Sequence, residues 1–590
     1  MKAIILAAGY GRRMRPLTDR THKTLLEVSG RTIIGRIMDC LIEEQIRETV
    51  VVTGYRAEEL ETWLRANYPG YRFQFVHNLR YAETNNIHSL ALAFEHTALD
   101  QDIVLIESDL VFEPAVLERL VRSPHENAAL LDHYRTGMDG TVVSLEDGAI
   151  TSVIPPHLQR QDFSFADKFK TLNIYKFSRE FCATRLGDLL TFYSRFIDDN
   201  CYYELILGIL IYMRQARIHG EVLEGERWAE VDDPNDLHAA EFVFNAPARR
   251  RILESTMGGF WQMNVLDFAF IRNMYFPTPA VVAEMRNSLP ALLHNYGSAQ
   301  RTLNEKLSCF LLCRKERVQT LNGASQIYPI LRGLWAGRKA LIPQPTFGEY
   351  PAAFPLHETY SDRGAVNPAE LDPADAGVVV FVNPNNPTGT VIASQTVFDF
   401  ARRHPGLTVL VDESFAAFSP GGSVIDLLER EPLPNILVVT SLSKILGMPG
   451  LRLGYVYSPD AELIRRIGEA LPIWNLNSLA EFAMEILLKH RDSLADSIRR
   501  TIADRAEFER QLSALAIVDQ VYPSGGNFLL VRLRISAAGA AGLASNLLHD
   551  ACVYVKEISA RFDDGAGWLR LAVRLPEENR RLCALLETLR

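Results

Sequence analysis

Short, continuous apolar runs alternate with amphipathic stretches along the first 245 residues. Lys2–Ala7, Thr49–Thr53, Ile103–Glu107 and Ala128–His133 are rich in β-branched and other apolar residues and predict buried strands. Ile33–Glu44 and Ala57–Asn67 repeat apolar residues at helical spacing and predict helices. Alternation of this kind predicts an α/β sheet covered by helices on both faces. It stops at 246–259, where a basic helix, Arg249–Arg251 on its solvated face, runs into paired glycines. It then restarts, with strands near Gly377–Val382, Thr408–Val411 and Ile436–Thr440. The pattern predicts a first domain at 1–245, a linker helix at 246–259 and a second domain at 260–590. Within the second, a cofactor-binding part covers about 310–500, and a smaller part joins 260–309 to 501–590.

Composition narrows the class. With 47% hydrophobic and 23% charged residues, a chain of 590 residues is folded and large enough for two cores. A net charge of −10 provides no global field for a nucleic-acid backbone, so phosphates must be met by local groups. Seven cysteines without a CxxC pair predict reduced thiols and a cytoplasmic setting. The apolar start is too short for a secretion signal, and no run reaches the roughly eighteen residues of a membrane span.

Chemistry enters at the end of the first strand. Leu6, Ala7, Ala8, Gly9 and Gly11 form a small-residue loop whose backbone N–H groups can approach phosphate oxygens, and Arg12 and Arg13 add charge. Lys23 would neutralise the phosphate under attack. Neither a Walker lysine nor a G-x-G-x-x-G fingerprint is present. Asp109, after an apolar strand, and Asp232 are the expected Mg²⁺ ligands, because nucleotidyl transfer needs a hard cation held by one or two carboxylates.

In the second half, Thr440-Ser441-Leu442-Ser443-Lys444 and Arg452 match the needs of pyridoxal phosphate (PLP): a lysine to anchor the cofactor, with hydroxyls and an arginine for its phosphate. Asp412, at a strand end, would keep the ring nitrogen protonated, and Asn386 would bond the ring hydroxyl. Gly323, Ala324 and Ser325 open an apolar helix toward the phosphate. Phe347 would stack on the ring. Arg570 and Arg574, four apart on an expected strand, would share a face and grip two anionic groups.

Two resemblances extend this reading. The loop, Gly54-Tyr55, Asn78, Tyr81, Thr84–Leu90, Lys170–Tyr175 and Tyr202-Tyr203-Glu204 resemble the phosphocholine and aminoethylphosphonate cytidylyltransferases over nearly all of residues 1–240. That resemblance implies a GT-A-like, Rossmann-type nucleotidyltransferase fold and CTP as a substrate. It sets Gly54, Asn86 and Ser89 near the nucleotide and Lys170 near the acceptor. Sugar-phosphate enzymes carry G-G-x-G-x-R where this chain has Ala8-Gly9-Tyr10-Gly11-Arg12-Arg13, a departure that favours an amino-phosphate or amino-phosphonate acceptor. Tyr202, Tyr203 and Glu204 suit its ammonium.

Residues 260–590 resemble fold-type-I PLP enzymes of the aminotransferase class I/II superfamily, above all threonine-phosphate decarboxylases and histidinol-phosphate aminotransferases. The likeness assigns Arg570 to the amino-acid carboxylate, Arg574 to the phospho group and Asn273 to the substrate. It assigns Tyr296 to the partner subunit's cofactor phosphate, which implies a homodimer. Ser414-Phe415 stands where an aminotransferase often has Ala-Tyr. Together the halves resemble bifunctional cytidylyltransferase–decarboxylases of fosmidomycin-type phosphonate biosynthesis. The implied reactions are CMP transfer to 2-amino-4-phosphonobutyrate and decarboxylation to CMP-3-aminopropylphosphonate. Transamination by the second half stays open as the alternative.

Overall fold

The structure, a computed structural model, describes residues 1–135, 137–160 and 163–588. Its contacts divide the chain into two compact units, Met1–Asn264 and Val265–Arg590. Among the described residues no helix is long and apolar enough to cross a membrane.

The first unit is built on a nine-stranded sheet. Its strands are β1 (Lys2–Ala7), β2 (Glu48–Thr53), β3 (Arg72–His77), β4 (Ile103–Glu107), β5 (Ala128–His133), β6 (Val142–Glu146), β7 (Ala149–Ile154), β8 (Phe169–Phe177) and β9 (His219–Val222), in the order β3-β2-β1-β4-β8-β5-β9-β7-β6. β1 pairs in parallel with β2 and β4, whereas β8 runs antiparallel to β4. Side chains alternate faces along a strand, and both faces of β1 are buried: Ala3, Ile5 and Ala7 join one core, Ile4 and Leu6 another. Helices α1 (Ile33–Glu43), α2 (Ala57–Asn67) and α3 (Asn86–His96) supply the cover. α4 (Glu204–Tyr212) and α5 (Pro234–Phe244) follow, each near a chemically important acid.

The expected linker helix is α6 (Arg249–Thr256), closed by left-handed Met257 (φ 46) and Gly258 (φ 110). Its arginines are not all on a solvated face. Arg249 is buried, and its guanidinium donates to the Phe242 and Val243 carbonyls at 2.9 and 3.0 Å, satisfying the open end of α5.

The second unit holds a seven-stranded sheet: β10 (Val318–Asn322), β11 (Ala340–Gln344), β12 (His357–Ser361), β13 (Val378–Val382), β14 (Thr408–Asp412), β15 (Ile436–Ser441) and β16 (Leu453–Tyr457). The order is β10-β16-β15-β14-β13-β11-β12, parallel except for β16. Alternation again feeds two cores, with Val379 and Phe381 on one face and Val378, Val380 and Val382 on the other. Helix α7 (Ile327–Leu334) follows β10, and α8 (Arg491–Ser513) leads into a smaller antiparallel sheet. That sheet comprises β17 (Val518–Tyr522), β18 (Phe528–Ser536), β19 (Lys556–Glu557) and β20 (Ala566–Ala572), before α9 (Pro576–Thr588).

Candidate active sites

In each unit the chemistry-bearing residues gather at the carboxyl ends of parallel strands, where an open α/β sheet forms its ligand crevice. In the first unit, Leu6, Ala7, Ala8, Gly9 and Gly11 line a cavity of about 380 Å³ with Arg13, Lys23, Asn86, Ser89, Asp109 and Asp232. Gly11 has φ 61, in the left-handed region open to glycine, and a Cβ there would press on Thr18 and Lys23.

Gly54 and Arg12 do not line this cavity. A Cβ on Gly54 would come within 2.8 Å of the Ala8 carbonyl, so its role is to let the phosphate loop pack against the end of β2. Arg12 turns toward the Ala82 carbonyl, 3.5 Å away. Tyr203 is also withdrawn, fully buried against Tyr175, while Tyr202 and Glu204 line the cavity.

Lys23 bridges the two aspartates, with Nζ 3.0 Å from Asp109 Oδ2 and 2.8 Å from Asp232 Oδ1. Arg13 Nη2 lies 2.6 Å from Asp232 Oδ2. Burial disfavours the ammonium, yet the two carboxylates outweigh it and raise the Lys23 pKa. Burial would raise Asp232, but Lys23 and then Arg13 hold it below its ordinary value. Among the described residues no group of three or more His, Cys, Asp or Glu is arranged around a metal position. Asp109 Oδ1 is nevertheless buried without a partner, a free carboxylate oxygen that fits a hard cation.

Beneath lies an acidic floor, of which the sequence singled out only Glu204. Glu107, Glu204 and Glu230 line the cavity, with Lys170 Nζ 3.2 Å from Glu230 Oε2. Burial, and then neighbouring Asp109 and Glu204, raises Glu107 well above the carboxylate range. Burial likewise raises Glu204 and carries Glu230 to about 7 against the pull of Lys170. Asn86 donates to Glu107 Oε1 at 2.9 Å and accepts from the Tyr203 N–H at 3.0 Å. Ser89 Oγ accepts from Asn78 at 3.1 Å. Glu204 Oε2 has no partner. Glu107 and Asp109 stand two apart at a strand end, a spacing that was available as a signal.

In the second unit, Asp412 ends β14, Ser441 ends β15 and Asn386 follows β13. Asp412 is buried; Tyr350 Oη donates to its Oδ2 at 2.6 Å and the Ser414 N–H to its Oδ1 at 2.9 Å. Tyr350, 62 residues upstream in the chain, gave no local sign of this contact. Burial raises Asp412 despite these bonds. Phe415 packs on Phe528 and supplies no hydroxyl. Lys444 is pushed down to about 8 by burial and then by Arg570 and Arg452.

Arg452 Nη2 donates to Ser325 Oγ at 2.9 Å. Gly323, at φ 75, lies so close that a Cβ would overlap this guanidinium. A Cβ on Gly454 would sit 2.6 Å from the Ala324 nitrogen. Ser443 Oγ and Thr440 Oγ1 are buried without partners. A glycine-lined cradle, orphaned hydroxyls, an arginine and a buried carboxylate below a lysine fit PLP. Phe347 remains partly exposed beside Tyr328.

The substrate arginines divide. Arg570 is packed beneath the site, donates to Asn386 Oδ1 at 3.0 Å and to the Ala269 carbonyl, and is depressed to about 10 by burial and then by Arg561. Arg574 departs from expectation. β20 ends at Ala572, so the shared-face argument stops short of it, and its guanidinium pairs with Glu578 at 2.8 Å and donates to the Asp267 carbonyl. Asn273 is likewise committed: it donates to Ile445 O and Ser497 Oγ and accepts from the Tyr275 N–H, while its own N–H donates to the Lys444 carbonyl at 3.0 Å. It braces the lysine loop, with its side-chain amide fully engaged inside the protein. Tyr296 is 79% exposed and stacks on Trp474.

Comparisons with known proteins agree with the two-part reading. The family model described as MobA-like NTP transferase domain matches residues 3–162, and that of aminotransferase class I and II matches residues 264–586. CMP-5'-(3-aminopropyl)phosphonate synthase of Streptomyces rubellomurinus is 32% identical over 98% of this chain and 93% of its own. L-serine phosphate decarboxylase of Sulfurospirillum multivorans is 28% identical over 50% of this chain and 79% of its own. The second unit shares its fold with the L-threonine-O-3-phosphate decarboxylase of Porphyromonas gingivalis (TM-score 0.50, 23% identity, 55% of this chain and 99% of that one). The chain belongs to the aminotransferase class I and II family through residues 264–586, which follow a MobA-like NTP transferase domain.

Proposed function

We propose that the chain is a bifunctional enzyme that transfers CMP from CTP to an amino-phosphonate, 2-amino-4-phosphonobutyrate, and then decarboxylates the adduct to CMP-3-aminopropylphosphonate. The observation that carries this reading is likeness to the Streptomyces synthase along nearly the whole length of both chains. In the first reaction a phosphonate oxygen attacks the α-phosphorus of CTP and pyrophosphate leaves. Backbone N–H groups at Ala8–Gly11, with Arg13 and Lys23, offset the charge that builds on the phosphates. Asp109 and Asp232 would hold Mg²⁺, which supplies Lewis-acid charge to the triphosphate. The acidic floor of Glu107, Glu204 and Glu230, beside Tyr202, would receive the acceptor's ammonium.

In the second reaction PLP supplies the electron sink for the bond to CO₂. Ser325, Ser443 and Arg452 would hold its phosphate, with Ser441 near them, Asp412 its ring nitrogen and Lys444 its aldehyde carbon. Arg570 holds the substrate carboxylate, and Lys444 returns a proton to Cα as CO₂ departs. The working form in this reading is a cytoplasmic homodimer joined through the second half, with exposed Tyr296 and Trp474 at the junction.

The test is incubation of the holoenzyme with CTP, Mg²⁺ and 2-amino-4-phosphonobutyrate, without keto acid, followed by ³¹P NMR and mass spectrometry. A CMP adduct that then loses CO₂ is expected. An adduct that keeps its carboxylate, and loses its amine only when a keto acid is added, would make the second half a transaminase.

A further inference from the structure

Lys444, Arg452 and Arg570 gather around the second site, where Asp412 is the acid near the lysine, and Arg561 lies beside Arg570. Arg272 is balanced by Asp267, 3.3 Å away. In the proposed function each cation but one has an assigned partner. Lys444 anchors the cofactor, Arg452 meets its phosphate and Arg570 meets the amino-acid carboxylate. Arg574, which the sequence offered for a further anion, is closed off by Glu578.

Arg561 is left over. Its Nη1 donates to the Thr346 carbonyl at 2.7 Å, one residue before Phe347, and among the described residues it forms no ion pair with an acid. The wall it rests on is the one that holds Arg570. Thr346 Oγ1 donates to Asn385 Oδ1 at 3.1 Å, and the next residue, Asn386, accepts from Arg570 at 3.0 Å. The segment is pinned by Phe562, whose ring stacks on Trp568 at 4.0 Å, two residues before Arg570. Arg561 keeps an exposed surface, yet packing around its charged end depresses its pKa, and it depresses that of Arg570 in turn. Two guanidinium groups held by neutral acceptors on one wall call for an anion that the protein does not supply.

We propose that Arg561 is the phosphonate-binding residue of the second site: fixed at the rim by Thr346, it takes an anionic phosphonate oxygen of an α-amino acid whose carboxylate lies on Arg570. This assignment rests on the proposed function. The shared chemistry is the phosphonate oxygen, whether free or esterified to CMP.

The test is a stopped-flow titration of the holoenzyme, read by the visible absorbance of its cofactor in the first phase, before turnover. Ligands are 2-amino-4-phosphonobutyrate, its CMP ester and 2-aminobutyrate, which lacks the phosphonate. Arg561→Ala should weaken both phosphonate ligands by roughly ten- to a hundredfold, the range of one charge-assisted contact, and leave 2-aminobutyrate unchanged. Arg561→Lys should restore part of the loss, and Arg570→Ala should weaken all three. Loss with the CMP ester alone would move the contact from the phosphonate to the nucleotide and overturn the assignment. So would a wild-type preference that survives Arg561→Ala, or one that disappears with Lys556→Ala instead (Lys556 pairs with Arg570 in the β19–β20 register). A wild-type protein with no preference for the phosphonate ligands would remove the substrate reading itself.

Discussion

The two sites treat positive charge in opposite ways. In the first, the cations already have acids: Lys23 lies between Asp109 and Asp232, Arg13 on Asp232 and Lys170 on Glu230. In the second, cations rest on neutral atoms, Arg452 on Ser325, Arg570 on Asn386 and Arg561 on Thr346. A self-neutralised site must rearrange for its ligand. Binding of Mg²⁺ and triphosphate would draw the aspartates to the metal and free Lys23 for phosphate. An unneutralised site is already set for anions, and part of its folding stability is offset by that repulsion.

The sharpest way to break this contrast is to disable one site and watch the other. Lys444→Ala should lower CO₂ release by about a thousandfold or more while CMP transfer stays within about twofold, measured by ³¹P NMR and CO₂ trapping. A matching loss of both activities would show that the sites do not act separately. Asp232→Asn, the converse variant, removes an expected metal ligand and releases both Lys23 and Arg13. CMP transfer should fall by about a hundred- to a thousandfold, with decarboxylation of a supplied CMP adduct unchanged.

Arg570 and Arg574 sharpen the contrast within one unit. Arg570→Ala should raise KM for the amino acid about tenfold or more. Arg574→Ala should instead lower stability by about 1–3 kcal/mol in thermal or denaturant unfolding, because Glu578 and the Asp267 carbonyl lose their donor, with KM little changed. A large KM effect for Arg574 would return it to the site. The smallest effect concerns pH. The Lys444 pKa of about 8 lies below its ordinary value, so the neutral amine dominates above that pH. Capture of PLP by apoenzyme should therefore rise with pH through a midpoint near 8, and Arg570→Ala should move that midpoint upward.

Much of this was legible in the chain because it depends on local pattern. Buried parallel strands announce themselves as apolar runs, and the residues at or just past their ends, Asp412, Ser441 and Asp109, fall at the crevice by topology. What stayed hidden depends on contacts between distant segments. Tyr350 reaches Asp412 only in the folded sheet, and Asn273 is consumed by the Lys444 loop and α8. Arg574 looked like a substrate ligand because a strand was extended two residues too far; beyond Ala572 the chain turns into α9, where Glu578 waits four residues away. The buried acids of the first site were readable as letters, but their convergence on one cavity requires β4, α4 and the strand that carries Glu230 to meet.

The central claim is that two oppositely poised sites act in sequence on one substrate, and the most direct measurement is product analysis of the Lys444→Ala protein given CTP, Mg²⁺ and 2-amino-4-phosphonobutyrate. The account predicts that CMP-2-amino-4-phosphonobutyrate accumulates with its carboxylate intact and one pyrophosphate released per adduct. Absence of any CMP adduct, or CO₂ release that persists without Lys444, would contradict it.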